Sequence, residues 1–156
     1  MIEQHLRLAT LDDIPILLNL AKNFHKVSPY RGMRFNTQKG KDFLASVITG
    51  PKSEGVILVA LKDTKPIGML IGWAAEPVFT SNKVATELCW WVEEEYRKTR
   101  GALLLYNAYE DWAARVGCSH IQGAYLSGWR ADLHDFFKKR GYIQVESSYL
   151  KTLKVY

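Results

Sequence analysis

The stretch Glu87–Cys118 constrains this chain more than any other, because a two-residue alternation runs into a charged turn and resumes as a helix. Val84, Thr86, Leu88, Trp90 and Val92 alternate with Ala85, Glu87, Cys89 and Trp91. Both sets are mostly apolar, the pattern of a strand covered on both faces. Leu105, Ala108, Tyr109, Trp112, Ala113 and Val116 then fall at three-and-four spacing on one stripe, with Glu110, Asp111 and Arg115 off it, and Gly117 stands where a helix stops. The segment 93–100 between them is charged, with Tyr96 its one apolar anchor, so the connection lies at the surface. The first amides of a helix lack partners within it and its dipole favours an anion. Arg97, Lys98 and Arg100 add positive charge there, so Lys98–Ala102 offers an anion site suited to phosphate. The same residues would also serve as a solvated basic turn.

At 156 residues the chain is long enough for one domain with a real core, and residues 1–156 are expected to form a single unit. A hydrophobic share of 47% beside 24% charged residues is that of an ordinary globular protein. No apolar run reaches membrane-spanning length, and the polar, acidic start MIEQHLRLATLDD has no secretory character. With two cysteines, Cys89 and Cys118, both in apolar surroundings, reduced thiols and a cytoplasmic location are expected. A net charge of +5 favours an anionic partner, with coenzyme A, an acidic substrate and nucleic acid all qualifying.

In chain order, His5–Ala9 reads as a strand and Thr10 as the cap of a helix carrying Ile14, Leu17, Leu18, Ala21 and Phe24. Residues 27–36, VSPYRGMRFN, lack periodicity and form a loop, either packed down by its aromatics or touching a ligand through Tyr30, Arg31 and Phe35. A second helix opens at Thr37 and ends at Gly50-Pro51. Glu54–Leu61 and Ile67–Ala75 flank a short polar turn as a β-hairpin. Gly68 and Gly72 in its second strand mark a close approach of other atoms. Trp73 and Trp90 could wall a cleft. Cys118–Leu126 reads as a strand, Ser127-Gly128 as a turn, Asp132–Lys138 as a short helix stopping at Gly141, and Tyr142–Tyr156 as one or two final strands.

The turn after the central strand, with Val92, Tyr96, Arg97, Lys98, Thr99, Arg100, Gly101 and Ala102, resembles the acetyl-CoA motif of the GNAT superfamily of N-acyltransferases. The family has a glycine where Arg100 stands, the place where backbone comes nearest a pyrophosphate. A second stretch, Phe136, Phe137, Lys138, Lys139, Arg140, Gly141 and Tyr142, resembles another motif of the family, which commonly has tyrosine at the position of Phe137 and often asparagine at that of Arg130. The order of elements matches too. The resemblance implies an α/β (α+β) GNAT fold, a mixed, mostly antiparallel central sheet flanked by about four helices. It also implies acetyl-CoA as co-substrate, held by Trp90, Trp91, Val92, Arg97, Lys98, Thr99, Arg100, Gly101, Ala102 and Phe137.

Acetyl transfer to nitrogen requires a neutral amine, and an unperturbed lysine-type amine is about one part in 2,500 neutral at pH 7. A positioned base is therefore needed. Glu87 is the candidate, expected on the face of Ala85, Cys89 and Trp91, where poor solvation would raise its pKa. The resemblance places an oxyanion donor among the backbone amides of Trp90, Trp91 and Val92. It also implies a tyrosine acid for the departing thiolate; Phe137 cannot serve, so either the thiolate leaves unassisted or another group serves, with Tyr125 the best remaining tyrosine. Tyr30, Arg31, Phe35 and Trp73 are the candidate contacts for a small-molecule or peptide amine. The four histidines have no ligand spacing, so no metal is expected. Two other classes stay open, a catalytically silent GNAT domain and a nucleic-acid-binding or nucleic-acid-modifying protein, as does a monomer or a homodimer.

Overall fold

The computed structural model describes residues 4–126 and 132–154. Five strands form one sheet in the order β1 (Gln4–Leu8), β2 (Gly55–Lys62), β3 (Lys65–Ala75), β4 (Val84–Val92) and β5 (His120–Gln122). Neighbours are antiparallel except β4 and β5, which run parallel. A 3-10 turn, Leu11–Asp13, leads from β1 into α1 (Ile14–Val27), and α2 (Thr37–Thr49) follows. A second 3-10 turn, Glu94–Tyr96, precedes α3 (Arg100–Arg115), and α4 (Asp132–Lys139) comes last. This is the mixed α/β architecture of the GNAT fold.

The layers follow from the alternation of β2. Val56, Leu58 and Ala60 point to one face with Leu70, Ala85 and Val92, under Leu105, Tyr106, Tyr109, Trp112 and Ala113 of α3. Ile57, Val59 and Leu61 point to the other with Met69, Ile71, Cys89 and Trp91, under Leu17, Leu18 and Leu20 of α1 and Leu44 and Val47 of α2. Period two in the sheet and period 3.6 in the helices thus meet in two apolar layers. The entry to α1 is tied by Asp13, whose carboxylate accepts from Arg7 Nη1 at 2.6 Å, Arg7 Nη2 at 2.9 Å and the Thr10 amide at 2.8 Å. The Arg7 bond holds Asp13 down at about 2.

The hairpin of β2 and β3 turns through Asp63 and Thr64, with Asp63 in the left-handed region at φ 53°. The two glycines of β3 sit where sequence reasoning put a close approach. A Cβ on Gly68 would lie 2.8 Å from the Trp91 carbonyl oxygen, and one on Gly72 would lie 2.9 Å from the Tyr109 ring. Gly117 (φ 83°) and Gly141 (φ 85°) end α3 and α4 in the left-handed conformation.

Three expectations need correction. The strand read at Cys118–Leu126 shrinks to His120–Gln122. The strands read at Tyr142–Tyr156 do not form within 142–154, where Ile143 (81% exposed), Tyr149 (96%) and Leu153 (85%) alternate without burying a face. Alternation proposes a strand, but a pairing partner and a covered face make one. Finally, the β3–β4 register slips: Ile71 pairs with Cys89 but Gly72 with Glu87, leaving Leu88 as a bulge. Ala85 and Glu87 therefore turn to the α3 face, opposite Cys89 and Trp91. Ser127-Gly128, Trp129 and Arg130 lie outside the described residues.

Candidate active site

The site starts where β4 and β5 part. Their pairing runs Val84–His120, Ala85–Ile121 and Thr86–Gln122 and goes no further. At Gly123 the chain is pressed against α3 and α4, since a Cβ there would stand 2.3 Å from the Tyr106 hydroxyl and 2.5 Å from the Phe137 ring. Room for glycine alone explains why the chain passes here as it leaves the sheet. Beyond Thr86 the β5 side of β4 has no strand partner among the described residues. The gap is a cleft of about 570 Å³ bounded by the C-terminal half of β4, the start of α3, residues 124–126, α4 and the end of α1.

Glu87 faces this cleft, half-buried, and its Oε2 accepts a long 3.4 Å hydrogen bond from the Ala124 amide. Burial raises its carboxyl from an ordinary 4.5 to about 7, with the Ala124 amide pulling the other way. The strand buries it as expected, through the opposite layer from the one expected, because of the Leu88 bulge. Burial, aided by the Glu87 charge, also pushes the Cys89 thiol well above its usual range. Cys89 and Cys118 are both free thiols.

Trp90 floors the cleft, its ring 4.7 Å from Tyr106 and 5.6 Å from Phe136. Trp91 lines it from the other face, edge-on to Phe24 at 6.3 Å. Arg97 folds back over Trp91 at 4.5 Å, and its Nε donates to the Val92 carbonyl at 2.9 Å. Thr99, extended just before α3, donates from Oγ1 to the Tyr96 carbonyl at 2.5 Å. Arg97, Thr99 and Ala102 line the cleft; Lys98 and Arg100 are exposed at its rim, Arg100 as the first residue of α3 and Gly101 buried behind it. A second hollow of about 620 Å³ is bordered by Glu93, Glu94 and Glu95, which disfavours an anion.

Of the other predicted residues, Tyr30 and Tyr125 line the cleft, Tyr125 stacked on Phe137 at 6.2 Å. Arg31, Phe35 and Trp73 do not. Phe35 packs edge-on to His25 at 5.5 Å, and Trp73 sits over Gly55. Phe137 is buried against Tyr106 and Tyr142, and its neighbour Phe136 takes the cleft position. Sequence reasoning missed Val27, Pro29, Leu88, Leu103 and Leu133 as lining residues. The one available signal was their position flanking expected site residues, since apolar side chains read as core. Behind the cleft, Arg140 Nε donates to Glu110 at 3.1 Å, Tyr142 donates to Glu110 at 2.9 Å, and Tyr106 donates to Tyr142 at 3.3 Å, pinning α4's end to α3.

Comparisons place this geometry among known proteins. A sequence model of the acetyltransferase (GNAT) family matches residues 21–142. No curated protein matches the chain. Among solved structures, AAC(6')-Iy in complex with the bisubstrate analogue CoA-S-monomethyl-acetylneamine superposes with a TM-score of 0.74 at 14% identity, over 97% of this chain and 99% of that one. The aminoglycoside acetyltransferase meta-AAC0020 from an uncultured soil metagenomic sample, in complex with sisomicin, gives 0.69 at 18% identity over 97% of each chain. A transcriptional regulator from Bacillus halodurans C-125 gives 0.76 at 15%, over 97% and 100%. Such low identities carry the fold alone, but the family match spans most of the chain and coincides with the parted strands and the turn into α3: this protein belongs to the GNAT acetyltransferase family.

Proposed function

We propose that the protein moves an acetyl group from acetyl-CoA to a primary amine by direct attack, with Glu87 as the base. The observation that carries this reading is a carboxylate, the only one among the described lining residues and raised to about 7, facing a cleft that opens where β4 leaves β5. Near neutral pH about half of such groups are ionised, so Glu87 can take a proton without being held permanently as an anion.

The residues present fit coenzyme A. The cleft reaches the N-terminus of α3, a 16-residue helix whose first amides favour an anion. Lys98 and Arg100 stand exposed beside it. The two departures from the family pattern, Arg100 and Phe137, both fall outside the cleft lining, which weakens the case for a silent domain. Bound acetyl-CoA would supply the activated thioester. The protein's part is to hold the phosphates at the α3 terminus and offer the open β4 backbone near Trp90–Val92 as a donor. Glu87 accepts the amine proton, and Tyr125 donates a proton at the leaving group. Cys89, kept protonated by burial, is a poor acyl acceptor, which favours direct attack over a covalent enzyme intermediate.

Incubation with labelled acetyl-CoA and a panel of amines, read by product mass, tests the activity. Glu87→Gln should lower turnover most near pH 7 and least above pH 9, where more amine is neutral. An equal loss at every pH would remove Glu87 as the base. Tyr125→Phe should lower turnover about tenfold with little change in KM; an unchanged rate would leave the thiolate departing unaided.

A further inference from the structure

We infer that the acceptor is a singly charged amine carried on a flat apolar or aromatic body, and not a polycationic sugar or polyamine; this rests on the acetyl-transfer reading. Besides the start of α3, the cleft is walled by Phe24, Val27, Pro29, Tyr30, Leu88 and Tyr125. Three of these hold large apolar surface open to solvent, Tyr30 at 55%, Leu88 at 44% and Tyr125 at 40%. They come from a loop, a strand bulge and the segment after β5, three unrelated places that converge on one cavity. Exposed apolar side chains that converge in a concavity are the usual mark of a ligand surface.

The charges point the same way. Among the described lining residues Glu87 is the only carboxylate, and Arg97 the only cation. Arg97 is already engaged by Trp91 and the Val92 carbonyl. One ammonium can be met by Glu87. A second or third ammonium of the same molecule would lie against Val27, Pro29 and Leu88 without a counter-charge, which is costly. The approach is also cationic: Lys26 and Arg31 flank the Val27–Tyr30 segment, and the chain carries +5. Long-range attraction therefore works against a polycation.

The test uses the intact protein with four probes: phenethylamine, propylamine, spermidine and a deoxystreptamine aminoglycoside. Binding is measured by calorimetry in the presence of coenzyme A, and turnover by thiol release from acetyl-CoA. Phenethylamine should bind and turn over at least about tenfold better than propylamine, as burial of one ring requires, and better than either polycation. Tyr30→Ala, a change in an exposed loop, should raise KM for phenethylamine several-fold and by a clearly larger factor than that for propylamine. Equal kcat/KM for the two monoamines, or preference for spermidine or the aminoglycoside, overturns the inference while leaving acetyl transfer standing. Selective binding of phenethylamine without turnover of any amine removes the transfer reading, and the inference about its acceptor falls with it. Absence of phenethylamine binding overturns the inference outright.

Discussion

Replacing Glu87 by Gln should stabilise the fold while impairing the proposed reaction, and the size of the gain follows from the carboxyl's surroundings. Glu87 titrates at about 7 in the folded chain against 4.5 ordinarily. Its folded-state pKa is raised, so the native state holds the proton more tightly than the unfolded chain. The contribution of Glu87 is then most favourable below pH 4.5, falls as pH rises from 4.5 to 7, and is level above that. Moving from 4.5 to about 7 corresponds to about 3 kcal/mol at most, and partial solvent contact brings the expectation to about 1–3 kcal/mol. Glutamine keeps an acceptor for the Ala124 amide and removes the charge. In thermal melts recorded from pH 4 to pH 9, the variant should match the parent at pH 4 and exceed it by roughly 2–10 °C at pH 8. Two melting curves that stay parallel across this range would show that the Glu87 carboxylate is well solvated, and the reasoning for its role as a tuned base would fall with it.

Asp13, titrating at about 2, behaves oppositely: its contribution is present above pH 4 and lost as pH falls toward 2. Asp13→Asn should cost about 1–2 kcal/mol at pH 7, given that Arg7 is partly exposed, and almost nothing at pH 2, by chemical denaturation. Gly68→Ala should cost about 1–3 kcal/mol, because its Cβ would meet a backbone oxygen of β4 at 2.8 Å and no side chain can swing away; an unchanged midpoint would mean the two strands are freer than described. Arg97→Gln removes a cation that lines the cleft beside Val92 and should weaken coenzyme A binding about five- to tenfold by calorimetry, with a shallower salt dependence. Crystals soaked in coenzyme A should show the diphosphate at the start of α3; an empty corner there would withdraw the enzymatic assignment.

Most of the architecture was legible because the chain's periodicities are clean. Leu17 and Leu18, Leu44 and Val47, and Leu105, Tyr109 and Trp112 all occupy the layers their spacing implied. Glycines did nearly as well: Gly68, Gly72, Gly117 and Gly141 each sit where contact or backbone conformation requires one. What escaped were features that pattern does not encode. A bulge leaves no mark in a strand whose two faces are both apolar, so Leu88 looked like any other position and Glu87 was set on the wrong side. Phe136 and Phe137 are the same residue type, and only the tilt of α4 decides which meets the cleft and which the core. The tail beyond Tyr142 has strand chemistry but no strand partner among the described residues, and pairing is a property of the assembled sheet.

Leu88 also ties together two properties that would otherwise be separate. A strand counts its residues in pairs, and one supernumerary residue puts the halves of β4 out of phase just past Thr86, where its contact with β5 ends. The same offset that hands the acid to the α3 layer falls where β4 runs on beyond the end of its parallel neighbour. Chain length, more than side-chain identity, governs both. An alanine scan along β4 would pass over this dependence, whereas deleting the single residue between Glu87 and Cys89 would restore the β3–β4 ladder.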